Sequence, residues 1–183
     1  IKNKGNTVLA WTLNTSVNIN LYEKDTASLE ARMDAAVKAA GSGYLIAFHF
    51  DPIIIYDGFL DDYASILKNL SERINPRSVV WISLGCFRYS PGFKDIIKQK
   101  FPGSVLTSEE MFPGIDGKYR YLKKTRNKIY SFFYDHLRKS FPYTYIYFCM
   151  ESADVWLSVT GMEFSTSEDL ENAMERSLIR NFL

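Results

Sequence analysis

The sequence predicts an α/β fold, a parallel β-sheet flanked by helices. Four short apolar runs have apolar side chains on both faces, as strands buried in a parallel sheet do. Amphipathic segments with a 3.6-residue period lie between them, and this alternation is the signature of strand–helix units. The length of 183 residues, with 46% hydrophobic and 23% charged residues, fits one domain with a sizeable core. It excludes disorder, collagen and a disulfide scaffold.

The first strand is Thr7-Val8-Leu9-Ala10-Trp11, running out into Thr12-Leu13-Asn14. After a polar loop, Thr26 is placed to cap a helix carrying Leu29, Met33, Ala36, Val37 and Ala40, which Gly41 stops. Tyr44 to Phe50 is the second strand. Asp51-Pro52 marks its exit, because Pro52 has no N–H for a ladder. Asp57-Gly58 turns the chain into a helix whose stripe is Phe59, Leu60, Tyr63, Ile66, Leu67, Leu70 and Ile74. Val79 to Leu84 is the third strand, ending at Gly85. Pro91 suits the start of a helix with Phe93, Ile96 and Ile97, reaching Phe101-Pro102. The stretch Pro113-Gly114-Ile115-Asp116-Gly117 leads into a long basic helix holding Ile129, Phe132, Phe133 and Leu137. Tyr143 to Cys149 is the fourth strand, and Glu151 to Val159 reads as helical. Thr166 caps a last amphipathic helix with Leu170, Ala173, Met174 and Leu178 on one face. Four strands are too few for an eight-stranded barrel, which leaves an open sheet or part of a barrel.

Lys and Arg number 22 against 21 Asp and Glu, so net charge names no partner. Two cysteines, Cys86 and Cys149, match no metal-ligand spacing and point to a reduced, cytoplasmic protein. Cys86, just past a strand, is expected to be exposed, and Cys149, within one, to be an inert core thiol. No apolar stretch approaches the roughly 20 residues that span a bilayer, so no membrane partner is expected. The chain opens at Ile1 without an initiator methionine, which points to a trimmed or excised piece.

Ligands of parallel α/β proteins bind at the carboxyl edge of the strands. That edge carries Thr12 and Asn14, His49 and Asp51, Ser83 with Cys86 and Arg88, and Cys149 with Glu151. Capping of the following helices is the plainer use for such residues. His49 and Asp51, two apart on a strand, point to the same face. They could form a general base with its orienting carboxylate, or half of a metal site. The only other histidine, His136, lies in the basic helix, so a metal site would lack ligands and none is expected. From Lys118 to Lys139, the cations Lys118, Arg120, Lys123, Lys124, Arg126, Lys128, Arg138 and Lys139 are opposed only by Asp135 and interleaved with Tyr and Phe. Cations for phosphates and flat rings for bases suit a nucleic-acid surface; a solvated helix face is the competing reading.

Several runs taken together resemble the spore photoproduct lyase family of radical S-adenosylmethionine proteins. They are Trp11-Thr12-Leu13-Asn14, Thr26 to Arg32, His49-Phe50-Asp51-Pro52-Ile53-Ile54, Trp81 to Gly85 with Phe87-Arg88, Pro113-Gly114 with Asp116-Gly117-Lys118, and Cys149-Met150-Glu151-Ser152 with Val155-Trp156. The resemblance implies that residues 1–161 are the later half of a partial (β/α)6, TIM-like barrel, with residues 162–183 a C-terminal helical extension. Family enzymes hold a [4Fe–4S] cluster on a CxxxCxxC loop and cleave S-adenosylmethionine to a 5′-deoxyadenosyl radical, which in spore photoproduct lyase repairs a thymine lesion in DNA. By resemblance, Thr12 and Asn14 meet the cofactor's ribose and amino-acid portion, and Arg32 its carboxylate. His49 and Asp51 fall beside the adenosine and Ser83 near the adenine. Arg88, Lys118, Arg120, Lys123, Lys124 and Arg126 are the candidate DNA contacts.

The sequence has no CxxxCxxC loop, and two cysteines cannot replace three thiolate ligands. Thr12 also stands where serine is usual. The chain alone is therefore expected to be catalytically silent, with DNA and the N-terminal half of the same protein as partners. The alternative is a nucleic-acid-binding module without catalysis, using the basic stretch 118–139. A hydrolase built on His49 and Asp51 ranks lowest, because no nucleophile motif accompanies them.

Overall fold

The computed structural model describes Lys4 and residues 7–182. In chain order its elements are β1 (Val8–Thr12), α1 (Ser16–Tyr22), α2 (Leu29–Gly41), β2 (Leu45–Ile53), α3 (Phe59–Arg73), β3 (Val79–Cys86), β4 (Arg88–Tyr89) and α4 (Phe93–Lys100). There follow β5 (Phe112–Pro113), β6 (Tyr119–Arg120), α5 (Lys123–Ser140), β7 (Tyr145–Phe148), α6 (Ala153–Thr160) and α7 (Ser167–Phe182). The four apolar runs form one sheet in the order β1-β2-β3-β7, with every pair parallel.

The ladder register assigns side chains to the two faces. Trp11, Phe48, Ile82 and Ile146 are aligned across the four strands on one face. With Phe50, Leu84 and Phe148 they join Met33 of α2, Tyr63 and Leu70 of α3, and Phe133 and Leu137 of α5 in one core. The Phe50 ring lies 6.1 Å from Tyr63 and 5.3 Å from Phe133, centroid to centroid. Each such buried side chain stabilises the fold by about 1.5–3 kcal/mol.

The opposite face differs in kind. Thr12, His49, Ser83 and Tyr147 form the next register row, and Ala10, Ala47, Trp81 and Tyr145 lie on the same face one row back. Ala10, Ala47, Trp81 and Tyr145 stand outside the core cluster. Ala10 and Thr12 are exposed, while His49, Trp81 and Tyr147 are half-buried. Among the described residues α7 is tied to this face by a side chain, the Tyr145 hydroxyl donating to the Leu170 carbonyl at 3.3 Å. Apolar residues on both sides of the strands predicted helices on both sides. Among the described residues the helical core packs on one.

Several boundaries also moved. Residues 16–22 form α1 rather than a loop: Thr15 Oγ1 caps it by accepting from the Asn18 N–H, and only Asn18 and Ile19 are buried. A helix of 7 residues, about two turns, leaves no period to read. Ser28, not Thr26, caps α2; Thr26 instead donates to the Glu23 carbonyl and accepts from Arg32. β2 continues through the cis Asp51–Pro52 peptide to Ile53, and β3 extends two residues past Leu84 to Cys86. A small antiparallel sheet, β4-β6-β5, was not anticipated, because two-residue strands carry no alternation. Thr166 does cap α7, in a reciprocal pair with Asp169. No helix among the described residues is long and apolar enough to cross a membrane.

Candidate nucleotide- and DNA-facing edge

The row Thr12–His49–Ser83–Tyr147 crosses the sheet close to its carboxyl edge. Thr12 is exposed, His49 half-buried and Ser83 buried. Neither the Thr12 hydroxyl nor the His49 ring makes a hydrogen bond within the described residues. Burial holds the pKa of His49 below its ordinary value, and the nearby Asp51 carboxylate only partly opposes this. The ring is therefore kept neutral.

Asp51 is fixed from two sides. Arg88 donates to both carboxylate oxygens, at 3.0 and 3.2 Å, in the fork-to-fork arrangement guanidinium favours. Burial alone would depress the Arg88 pKa, but Asp51 outweighs it and raises the value. On the other side the carboxylate rests on the bare Cα of Gly85. A Cβ there would lie 2.5 Å from the carboxyl carbon and 2.6 Å from both oxygens. Arg88 further donates to the Cys86 carbonyl, to Cys149 Sγ at 3.4 Å and to Met150 Sδ at 3.3 Å. Lys118 reaches the same Met150 sulfur at 3.5 Å. Asp51, Arg88, Lys118 and Met150 line, with Phe87 and Phe93, a cavity of about 400 Å³. Among the described residues no hydrogen bond joins His49 to Asp51, whose carboxylate is held by Arg88 instead, so the hydrolase reading is left without an oriented base.

Asn14 and Arg32 are held from within. The buried Asn14 carbonyl accepts from Thr15 N–H, Asn18 Nδ2 and the Tyr63 hydroxyl, while its amide nitrogen donates to Glu23 and the Pro52 carbonyl. Arg32 donates to the carbonyls of Ala27 and Thr12, to Thr26 and to Glu23 Oε2 at 2.6 Å.

Three of the eight cations of the basic stretch, Arg120, Lys123 and Arg126, are paired with carboxylates inside the chain. Arg120, buried, grips Asp116 with two bonds of 2.5 and 2.7 Å and packs on Gly114, where a Cβ would sit 2.6 Å from its Nη1. Arg120 in turn holds the Asp116 carboxyl well below the usual carboxylate range. Arg126 donates to Glu151 Oε1 at 2.9 Å and to the Tyr121 carbonyl. The same Glu151 oxygen accepts from the Tyr130 hydroxyl, which itself accepts from the Cys86 N–H. Lys123 pairs with Asp154. Lys124 and Lys128 remain exposed on α5.

The cysteines exchange their expected places. Cys86 is buried, and burial pushes its thiol up to about 12; Cys149 is half-buried beside Arg88. The reason is local, since β3 runs past Gly85 and takes Cys86 into the core. Among the described residues no group of three His, Cys, Asp or Glu is placed to hold a metal. A [4Fe–4S] cluster does not fit the thiols of this chain.

A family profile described as spore photoproduct lyase matches residues 1–149. The chain belongs to the spore photoproduct lyase family. A spore photoproduct lyase of a Geobacillus species is 29% identical over 150 residues, covering 77% of this chain and 44% of the relative. A solved spore photoproduct lyase complexed with dinucleoside spore photoproduct superposes with a TM-score of 0.69 at 26% identity, over 79% of this chain and 45% of that one. A variant with bound AdoMet and dinucleoside spore photoproduct shares the fold at 24% identity and a TM-score of 0.67. The chain thus spans less than half the length of these family members.

Gly85, Gly114, Tyr130 and Met150 went unnoticed as site-building residues in the sequence. A glycine directly after an apolar strand was the one available signal; the partners of the others lie far away in the chain.

Proposed function

We propose that this chain is the later part of a radical S-adenosylmethionine enzyme of DNA photolesion repair, supplying cofactor- and DNA-facing residues while the cluster is held elsewhere. One observation carries the reading. A parallel sheet normally has both faces covered, yet here one face presents the unbonded Thr12 hydroxyl and His49 ring beside Trp81 and Tyr147. That face fits the interior of a larger curved sheet, completed by the portion of the family fold that this chain does not span.

When bound, S-adenosylmethionine supplies radical chemistry by reductive cleavage of its sulfonium. The residues of this chain bind and orient. Thr12 offers a hydroxyl to the ribose, and neutral His49 offers a ring nitrogen beside the adenosine. Ser83 lies between them and Tyr147 in the same row. Asn14 and Arg32 act one step back: Arg32 holds the Thr12 carbonyl, and Asn14 ties β1 to the Pro52 carbonyl, so together they fix the rim. The Asp51–Arg88 fork, with Lys118 across the cavity, forms the border between cofactor and DNA. Phosphate contacts fall to Lys118, Lys124 and Lys128 rather than to the internally paired Arg120, Lys123 and Arg126.

The test is chemical. Full-length protein with a reconstituted cluster, given dithionite and S-adenosylmethionine, should release 5′-deoxyadenosine. No 5′-deoxyadenosine from cluster-replete protein overturns the proposal. Salt-dependent DNA binding without that chemistry would favour a simple nucleic-acid-binding module.

A further inference from the structure

We propose that the groove between α1, α4 and the 101–109 loop is a second binding site, receiving one amino-bearing nucleobase from a DNA strand. The strand as its source rests on the DNA reading above; the ligand chemistry rests on the groove itself.

The groove has two chambers. The outer one, about 600 Å³, is walled by Leu21, Phe101 and Val105, with Lys24 at its mouth. The inner one, about 150 Å³, shares Leu21, Tyr22, Val105 and Leu106 with it and adds Asn18, Tyr56, Tyr121 and Glu109. Apolar walls that stay open to solvent are normally kept for a ligand. Leu21, Phe101 and Val105 are 56%, 51% and 63% exposed.

Asn18 gives the inner chamber its chemistry. It is 1% exposed, and its Nδ2 donates to Asn14 Oδ1 at 2.9 Å and to the Ile54 carbonyl at 3.4 Å. Asn14 Oδ1 already accepts from the Thr15 N–H and the Tyr63 hydroxyl, so it must face the nitrogen of Asn18, not the oxygen. The amide is therefore oriented, and Asn18 Oδ1 is left without a partner. Buried acceptors in native proteins rarely go unused. Glu109 adds a carboxylate, and Tyr22, Tyr56 and Tyr121 add flat rings.

A ligand for this chamber is planar and donates N–H at its edge. Adenine and cytosine carry an exocyclic amine with two N–H donors, whereas thymine presents a carbonyl at the equivalent position and a single ring N–H between two carbonyls, which the acceptors Asn18 Oδ1 and Glu109 repel. Bases drawn out of a strand are held in this manner, by stacking on aromatic rings and hydrogen bonds to their edge. The outer chamber suits the backbone that follows. Lys24 lines it, and Lys98 and Lys100 flank the lining residues Ile97 and Phe101 in sequence.

The experiment titrates the full chain with thymidine oligomers bearing one central dA, dC or abasic position, and with the all-thymidine oligomer. The dA and dC oligomers should bind about tenfold more tightly than the other two. Val105→Trp, at an exposed position where folding is not at stake, should abolish that difference. Equal affinity for all four oligomers, or a difference that survives Val105→Trp, overturns the site while leaving the DNA reading intact. If no oligomer binds, free adenosine decides. Saturable adenosine binding removed by Val105→Trp keeps the ligand class and overturns the strand as source; no adenosine binding overturns the site.

Discussion

Asp51 rests on Gly85 and Glu151 is held by Arg126, each partner distant in sequence, and each makes a separate prediction. Gly85→Ala would drive a methyl into the carboxylate that Arg88 holds. Overpacking of this kind should cost about 1–3 kcal/mol, read as a lower urea midpoint with an unchanged slope. Arg126→Met leaves Glu151, whose side chain is 4% exposed, without its cation. A loss of about 3–5 kcal/mol is expected, and Arg126→Met combined with Glu151→Met should recover much of it. His49 titrates in the opposite sense to a paired histidine. Burial lowers its folded pKa, so on acidification the unfolded chain takes up a proton that the folded chain resists. The stability it contributes is present above the ordinary histidine pKa and lost as pH falls below it. Stability should decline as pH falls below about 6.5, and His49→Asn should flatten that decline. Position at a strand end was enough to single out Asp51 and His49 in the sequence. Their roles were not legible, because Arg88 is 37 residues from Asp51 and only the folded sheet brings them together.

Elements long enough to show a period were read correctly, and those too short were missed. The stripes of α3 and α5 and the four apolar runs carry their own signal, and each forms as expected. α1 and the strands β4, β5 and β6 do not, although α1 walls the groove and β4 the cavity beside Asp51. The basic stretch illustrates the limit of composition. Its cations alternate with carboxylates supplied by other elements: Glu151 and Asp154 lie beyond β7, and Asp116 precedes β6. Their neutralisation is invisible along the chain. Lys124, exposed on α5, is the sharper probe. Lys124→Ala should weaken DNA binding to a similar degree across sequences and reduce the salt slope by about one, with unchanged stability. Arg126→Ala should instead act through unfolding.

At the scale of the molecule, the unequal faces of the sheet govern the account. Phe48, Phe50, Ile82 and Phe148 face a helical core, whereas Thr12, His49 and Trp81 face a side that the core leaves open. Apolar content alone could not separate the two, since Trp81 looks like a core residue in a sequence. The register did. The family relatives are more than twice as long as the aligned region, and on the proposed reading the open face is kept for further strands and a nucleotide. The most direct measurement is equilibrium binding of S-adenosylmethionine to the cluster-loaded full-length protein and to its Thr12→Val, His49→Ala variant. The account predicts at least about a tenfold loss of affinity, or 1.4 kcal/mol, with an unchanged thermal midpoint. Undiminished affinity in the folded variant would contradict it.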